Sequence, residues 1–246
     1  MNQYRNPPIV EAICEFRFSQ DTKWDPTIPG LLYEKLKAEF PHKESRINQE
    51  IEFRADEKGL KPWVKNPDQL AVFFSNDRLT LIQVGQNRLL IHHLKPYSGW
   101  ENFRPKIKHA FEMLNSITEI RGIDRMALVY IDKIEIPGPN IDMKEYFHFM
   151  PQLGDGFSQQ FNDFIVGCDF PYHSKRDICK LQLTSAIPEN KSNTAYVLTT
   201  EYFLAKKKAI SRDNALEWME DAHSVVHGIF KSCITEKLED LFGRAG

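Results

Sequence analysis

The sequence predicts an α+β fold: two tandem β-α-β(3)-α repeats, residues 1–122 and 123–246, forming one curved antiparallel sheet with helices on one face. Three observations predict it. Residues 9–18 alternate with period two, as a strand covered on one side does. The order strand, helix, strands, helix runs twice along the chain. Landmarks also recur at a fixed offset: Trp100 and Trp218 lie 118 positions apart, as do Glu15-Phe16-Arg17-Phe18 and Lys133-Ile134-Glu135-Ile136. Ile117-Thr118-Glu119 returns as Ile234-Thr235-Glu236, one residue short of that offset.

The elements follow in order. After Pro7-Pro8, a strand over 9–18 places Val10, Ala12, Cys14, Phe16 and Phe18 on one face and Ile9, Glu11, Ile13, Glu15 and Arg17 on the other. Pro29-Gly30 precedes a helix over 31–40, stopped by Pro41. Ile51 and Phe53 alternate with Glu50, Glu52 and Arg54, a second strand. Residues 69–94 read as a three-stranded meander turning at Asn76-Asp77 and at Gly85-Gln86-Asn87, residues that tolerate turn backbone angles. A helix over 100–117 carries Phe103, Ile107, Ala110, Phe111 and Leu114 at helical spacing. In the second half, 126–136 is a long strand and 142–150 a short helix. Strands over 164–170, 178–187 and 195–205 follow, then one long helix over 214–242, with Asn214 and Glu217 as a capping box and Gly243 as its left-handed stop.

Composition narrows the class. A chain of 246 residues buries enough surface to need neither disulfides nor a structural metal. The balance of 32 basic against 34 acidic residues lacks the basic excess of a dedicated duplex binder. The cysteines, Cys14, Cys168, Cys179 and Cys233, form no zinc-type pair, and no apolar run reaches membrane-spanning length. Unpaired thiols without an apolar leader predict a cytoplasmic protein. No cofactor is expected.

The face of the sheet away from the helices is expected to be bare and of mixed charge: Glu11, Glu15 and Arg17, then Glu50, Glu52 and Arg54, beside Lys133 and Glu135. The candidates for chemistry are few. His223 and His227, four apart on the last helix, could share a metal, but Ser224 stands where a zincin has Glu, and both flank an apolar stripe (Ala215, Met219, Ala222, Val226, Ile229, Cys233). They read first as boundary histidines. His92 and His93 point to opposite faces and cannot chelate one ion. Gly154-Asp155-Gly156 lacks the Lys and Ser/Thr of a phosphate loop and reads as a turn. Lys206-Lys207-Lys208 with Arg212 reads as a solvated strand end. Cys14 faces the core, where a thiolate is disfavoured.

Pro7-Pro8-Ile9-Val10-Glu11-Ala12, followed by Phe16-Arg17-Phe18, resembles the opening of a sporadically distributed, uncharacterised bacterial family of about this length. Leu216, Ala222-His223, Phe230, Ile234-Thr235 and Leu238 resemble its tail. The resemblance singles out Glu11 and His223 as polar members of otherwise apolar motifs. It implies no activity; its patchy distribution implies an accessory role, in defence-linked or mobile gene clusters. Two repeats joined edge to edge are also similar in architecture to the saddle of TATA-binding-protein-like folds and to helix-grip folds, a likeness that carries no function.

The expectation is a non-catalytic binding or interaction protein with a protein or polar small-molecule partner, reached through Glu11, Arg17, Arg54 and His223. One alternative is a nucleic-acid-binding module using Lys206 to Arg212. The other is a metal-dependent or other enzyme centred on His223 and His227, with Glu11.

Overall fold

A computed structural model describes residues 4–48, 51–56, 59–64, 68–158 and 163–243, with side chains described outside the stretch 48–68. In chain order the elements are β1 (Ile9–Phe18), α1 (Ile28–Leu36), β2 (His42–Asn48), β3 (Ile51–Asp56), β4 (Gly59–Val64), β5 (Asp68–Phe74), β6 (Thr80–Gly85), β7 (Arg88–Leu94) and α2 (Trp100–Asn115). They continue with β8 (Ile123–Pro137), β9 (Ile165–Tyr172), β10 (Asp177–Ala186), β11 (Asn193–Leu204), α3 (Ala215–Cys233) and α4 (Glu236–Phe242). Nine strands make one antiparallel sheet in the order β2-β5-β6-β7-β1-β8-β11-β10-β9, while β3 and β4 pair only with each other.

Period two decides which side of the sheet is buried. At the central pair, Cys14 lies opposite Leu128, Phe16 opposite Met126 and Ala12 opposite Tyr130. All are buried on the face that receives the helices. Tyr33 of α1 meets Phe73 at 5.3 Å between ring centroids, Phe111 of α2 meets Phe16 at 4.7 Å, and Cys14 Sγ donates to Met219 Sδ of α3 at 3.6 Å. Leu238 and Phe242 of α4 pack with Ile134, Ile136, Tyr196 and Leu198 on the same face. Fully burying one such apolar side chain contributes about 1.5–3 kcal/mol.

The other face is less bare than expected. At its centre Arg125 binds Glu15 at 3.2 Å and also Glu201, with its guanidinium 4.2 Å from the Phe203 ring centre. Towards β5, Val72, Phe74 and Leu81 form a small buried cluster, with the guanidiniums of Arg46 and Arg78 over the Phe74 ring at 5.6 and 5.2 Å. The aliphatic stems of arginine cover apolar surface while their heads stay wet.

Several expectations are corrected. The first helix begins at Ile28, because Pro29 fits its first turn, where a missing N–H costs nothing. The strand β2 was not anticipated, and β3 belongs to a separate hairpin. Arg54 therefore does not lie on the main sheet; its side chain and Glu50 lie outside the described residues. Residues 142–150 form only a 3-10 turn over Met143–Glu145. The expected helix over 214–242 is broken at Ile234, which is extended (φ −117°, ψ 152°) and bridges Phe147. Thr235 then caps α4, its Oγ1 accepting from Leu238 N at 3.4 Å and donating to Glu145 O at 2.6 Å. Asn214 makes no side-chain cap bond, whereas Gly243 is left-handed (φ 70°) as expected. His92 and His93 do point apart: His92 Nδ1 lies 2.7 Å from Glu11 Oε1, and His93 sits on the helix side between Thr80 Oγ1 and Ser98 Oγ, 2.9 Å from each.

Candidate functional site

The inward positions of β8 run Met126, Leu128, Tyr130, Asp132, Ile134, Ile136, so the alternation that buries five apolar or aromatic side chains also buries one carboxyl. Asp132 lies opposite Ile9 of β1 and Leu198 of β11, 1 % exposed. Its Oδ1 has no hydrogen-bond partner among the described residues. On β11, Thr200 lies opposite Tyr130, equally buried, and its Oγ1 also lacks a partner. Burial disfavours the charged form and pushes the Asp132 carboxyl up to about 8, so at neutral pH it keeps its proton.

Beside these groups runs a hydrogen-bonded chain of rings. Tyr97, in the turn after β7, has its hydroxyl 3.2 Å from the hydroxyl of Tyr130, which is 3.1 Å from His223 Nδ1 on α3. Burial, and secondarily the nearby His227, hold the His223 imidazole down at about 4, so it is neutral at pH 7 and Nδ1 can accept the Tyr130 proton. Trp100 lies flat on His223, ring centroids 4.3 Å apart and planes 8° apart. It is fixed by its indole N–H donating to Glu220 Oε2 at 3.0 Å. Gly99, at φ 94°, supplies the positive backbone angle with which the chain turns into α2.

These groups line a cavity of about 610 Å³ between the start of α2, the middle of α3 and the inner face of β8, closed on one side by Tyr4 and Pro7 to Ile9. That volume suits a metabolite-sized molecule. A wall of aromatic and apolar side chains with a few converging polar atoms is the usual make-up of such a site. At neutral pH neither of its two most buried titratable groups is an ordinary general base, because His223 is too weakly basic and Asp132 is protonated. The buried thiols Cys14, Cys179 and Cys233 are all pushed up by desolvation and stay protonated. What the lining offers is hydrogen bonding, ring stacking and two carboxyls, the buried Asp132 and Glu101 at the start of α2.

Of the residues the sequence offered for binding or chemistry, His223 and His227 reach this cavity. Their ring centroids are 6.1 Å apart, and no group of three or more His, Cys, Asp or Glu able to hold a metal occurs among the described residues. Glu11 is on the opposite face, bonded to His92, and Arg17 is exposed there, paired with Glu15 at 2.7 Å. In the basic run, Lys207 lies 4.0 Å from Asp124, Lys208 2.6 Å from Asp21 and Arg212 2.9 Å from Asp213. Gly154 to Gly156 are in an exposed turn.

No family model, curated protein or solved structure matches the chain.

The pocket's own chemistry therefore carries the functional reading. Sequence reasoning missed Asp132, Thr200, Tyr97 and Tyr130. A signal for two of them was present: Asp132 and Thr200 are polar residues in the inward register of otherwise apolar strands. No helix of the described residues is long and apolar enough to cross a membrane.

Proposed function

We propose that the protein is a binding protein for a small polar molecule, held in the cavity between α2, α3 and β8 rather than on the open face of the sheet. The observation that carries this reading is a pair of buried oxygens without partners among the described residues, Asp132 Oδ1 and Thr200 Oγ1, at the wall of a cavity large enough for a ligand. Leaving such groups unmade costs about 1–3 kcal/mol each, a cost that a site shaped for a ligand tolerates. The neutral imidazole and protonated thiols favour binding over group transfer.

The strand order supports the two-repeat reading and its saddle-like or helix-grip-like analogy. The leading strands of the halves, β1 and β8, meet at the centre, and β7, β6 and β5 run outward on one side as β11, β10 and β9 do on the other. The pocket then draws Tyr97 and Trp100 from the first half and Asp132, Thr200 and His223 from the second. Four free cysteines accord with a cytoplasmic location.

A thermal-shift screen of metabolite-sized compounds tests the reading. At one hundred times its Kd a ligand adds about 2.7 kcal/mol, a rise of roughly 5–10 °C in Tm for a chain of this size. Val226→Phe, which adds bulk to the cavity from α3, should abolish the shift. A shift that survives that substitution would place binding elsewhere and defeat the proposal.

A further inference from the structure

The geometry points to the class of ligand: an organic cation bearing a primary ammonium on an apolar or aromatic body, its N–H groups donating to Asp132 and Thr200. This rests on the cavity being a binding site.

Three features lead to it. The two oxygens, partnerless among the described residues, lie on adjacent strands, β8 and β11, on the same face of the sheet, with Thr200 paired to Tyr130, two residues before Asp132. A carboxyl and a hydroxyl side by side suit a group with several N–H donors, and an ammonium has three. Next, the cavity contains no lysine or arginine among the described lining residues, while it contains Asp132 and Glu101. Among the described lining residues an anionic ligand would find no cationic side chain. The start of α2 does present the positive end of a helix, but Glu101 stands in its first turn and opposes that field. Finally, Tyr97, Trp100, Tyr130 and Phe230 supply ring faces, which attract cations and pack against an apolar body.

The neighbours of Asp132 leave its titration simple. From β8 there is Tyr130, from the turn after β7 Tyr97, from α2 Glu101, from α3 His223, His227 and Cys233, and from the N-terminal segment Tyr4. Tyr97, Tyr130 and Cys233 are pushed up by burial and neutral at pH 7, and the histidines are held down by it. An ammonium that reaches Asp132 at pH 7 therefore ionises the carboxyl, and its proton leaves to solvent. The ligand keeps its own protons, and no bond other than that O–H is broken.

The test uses three probes with one body: phenethylamine, phenethyl alcohol and hydrocinnamate, titrated at pH 7 into the full chain by calorimetry in two buffers of different ionisation enthalpy. The amine should bind about tenfold or more tightly than the alcohol and release close to one proton, a ratio set by one charge-assisted contact. In Asp132→Asn, first checked for cooperative melting, amine and alcohol should bind alike with no proton released. Thr200→Val keeps the carboxyl and should weaken the amine only a few-fold. If the alcohol or hydrocinnamate binds as well as the amine, or if Asp132→Asn keeps the amine preference, the ammonium assignment fails while the pocket reading stands. If none of the three binds at millimolar concentration, both fail.

Discussion

Two carboxylates sit on the helix-covered face of the same sheet, equally hidden from solvent, and the fold treats them in opposite ways. Asp177, at the start of β10, is 0 % exposed and fully served: Arg176 donates to its Oδ2 at 2.6 and 3.0 Å, the Tyr202 hydroxyl at 3.0 Å, and the Trp218 indole to Oδ1 at 3.0 Å. Asp132, in the middle of β8, is 1 % exposed, and its Oδ1 receives nothing among the described residues. The first ties α3 to β10 and β11. The second ties nothing and faces a cavity. A buried acid with a full set of donors is a structural device. One without them keeps bonding capacity that folding does not use, and this separates a site from a strut more sharply than burial does.

The contrast can be broken at either end. The largest effect is expected at the served carboxylate: Asp177→Ala leaves a buried indole N–H, a buried tyrosine hydroxyl and a guanidinium without their acceptor, and should cost on the order of 3–5 kcal/mol in urea unfolding. A loss under about 1 kcal/mol would show that this network does not hold α3 down.

An effect of opposite sign, of comparable size at most, is expected at Asp132. The folded chain keeps a proton up to about pH 8, whereas the unfolded chain loses it near the ordinary value of 3.8. Unfolding between those limits releases a proton, so rising pH favours the unfolded state. Wild type and Asp132→Asn should be equally stable near pH 4. The variant should then pull ahead as pH rises, levelling off above about pH 8 with a lead on the order of a few kcal/mol. Parallel stability curves across that range would mean that Asp132 is charged and compensated. Least of all, Thr200→Val replaces a partnerless hydroxyl with a methyl group and should be neutral or stabilising by under about 1 kcal/mol, read from the urea midpoint. A clear loss would reveal a bond to that hydroxyl.

What the sequence disclosed followed from periodicity. β1, β8, the meander of β5 to β7, and α2 were legible because one apolar face repeats at the period of each element. β2 was hidden: His42-Lys43-Glu44-Ser45-Arg46-Ile47-Asn48 has no apolar alternation, and its charged residues are those that an edge strand carries against further pairing. Residues 142–150 have Met143, Tyr146, Phe147 and Met150 at helix-like spacing. The backbone there is instead claimed by the junction of α3 and α4, with His148 N donating to Cys233 O at 2.8 Å and Thr235 N to Tyr146 O at 3.0 Å. No local pattern encodes that pairing. For the candidate site, His223 was singled out for its spacing from His227 and as a polar member of an apolar motif, and it does reach the cavity. Asp132 was legible in principle, since Lys133 and Glu135 were assigned outward and the residue before them must then point inward. Its lack of donors depends on which side chains converge from β1, β11 and α3, and that is a property of three dimensions.

The segment that closes the cavity is pinned by α4: Arg5 N donates to Gly243 O at 2.8 Å, Asn6 N to Phe242 O at 2.9 Å, and the Tyr4 hydroxyl to Glu239 at 2.9 Å. Pro8 and Ile9, which follow directly, are held from the sheet as well, with Lys133 N donating to Pro8 O at 2.9 Å and Ile9 lying opposite Asp132. The closing wall is thus clasped from two sides, by β8 and by α4, so fraying of α4 would loosen the chamber while the sheet stays folded.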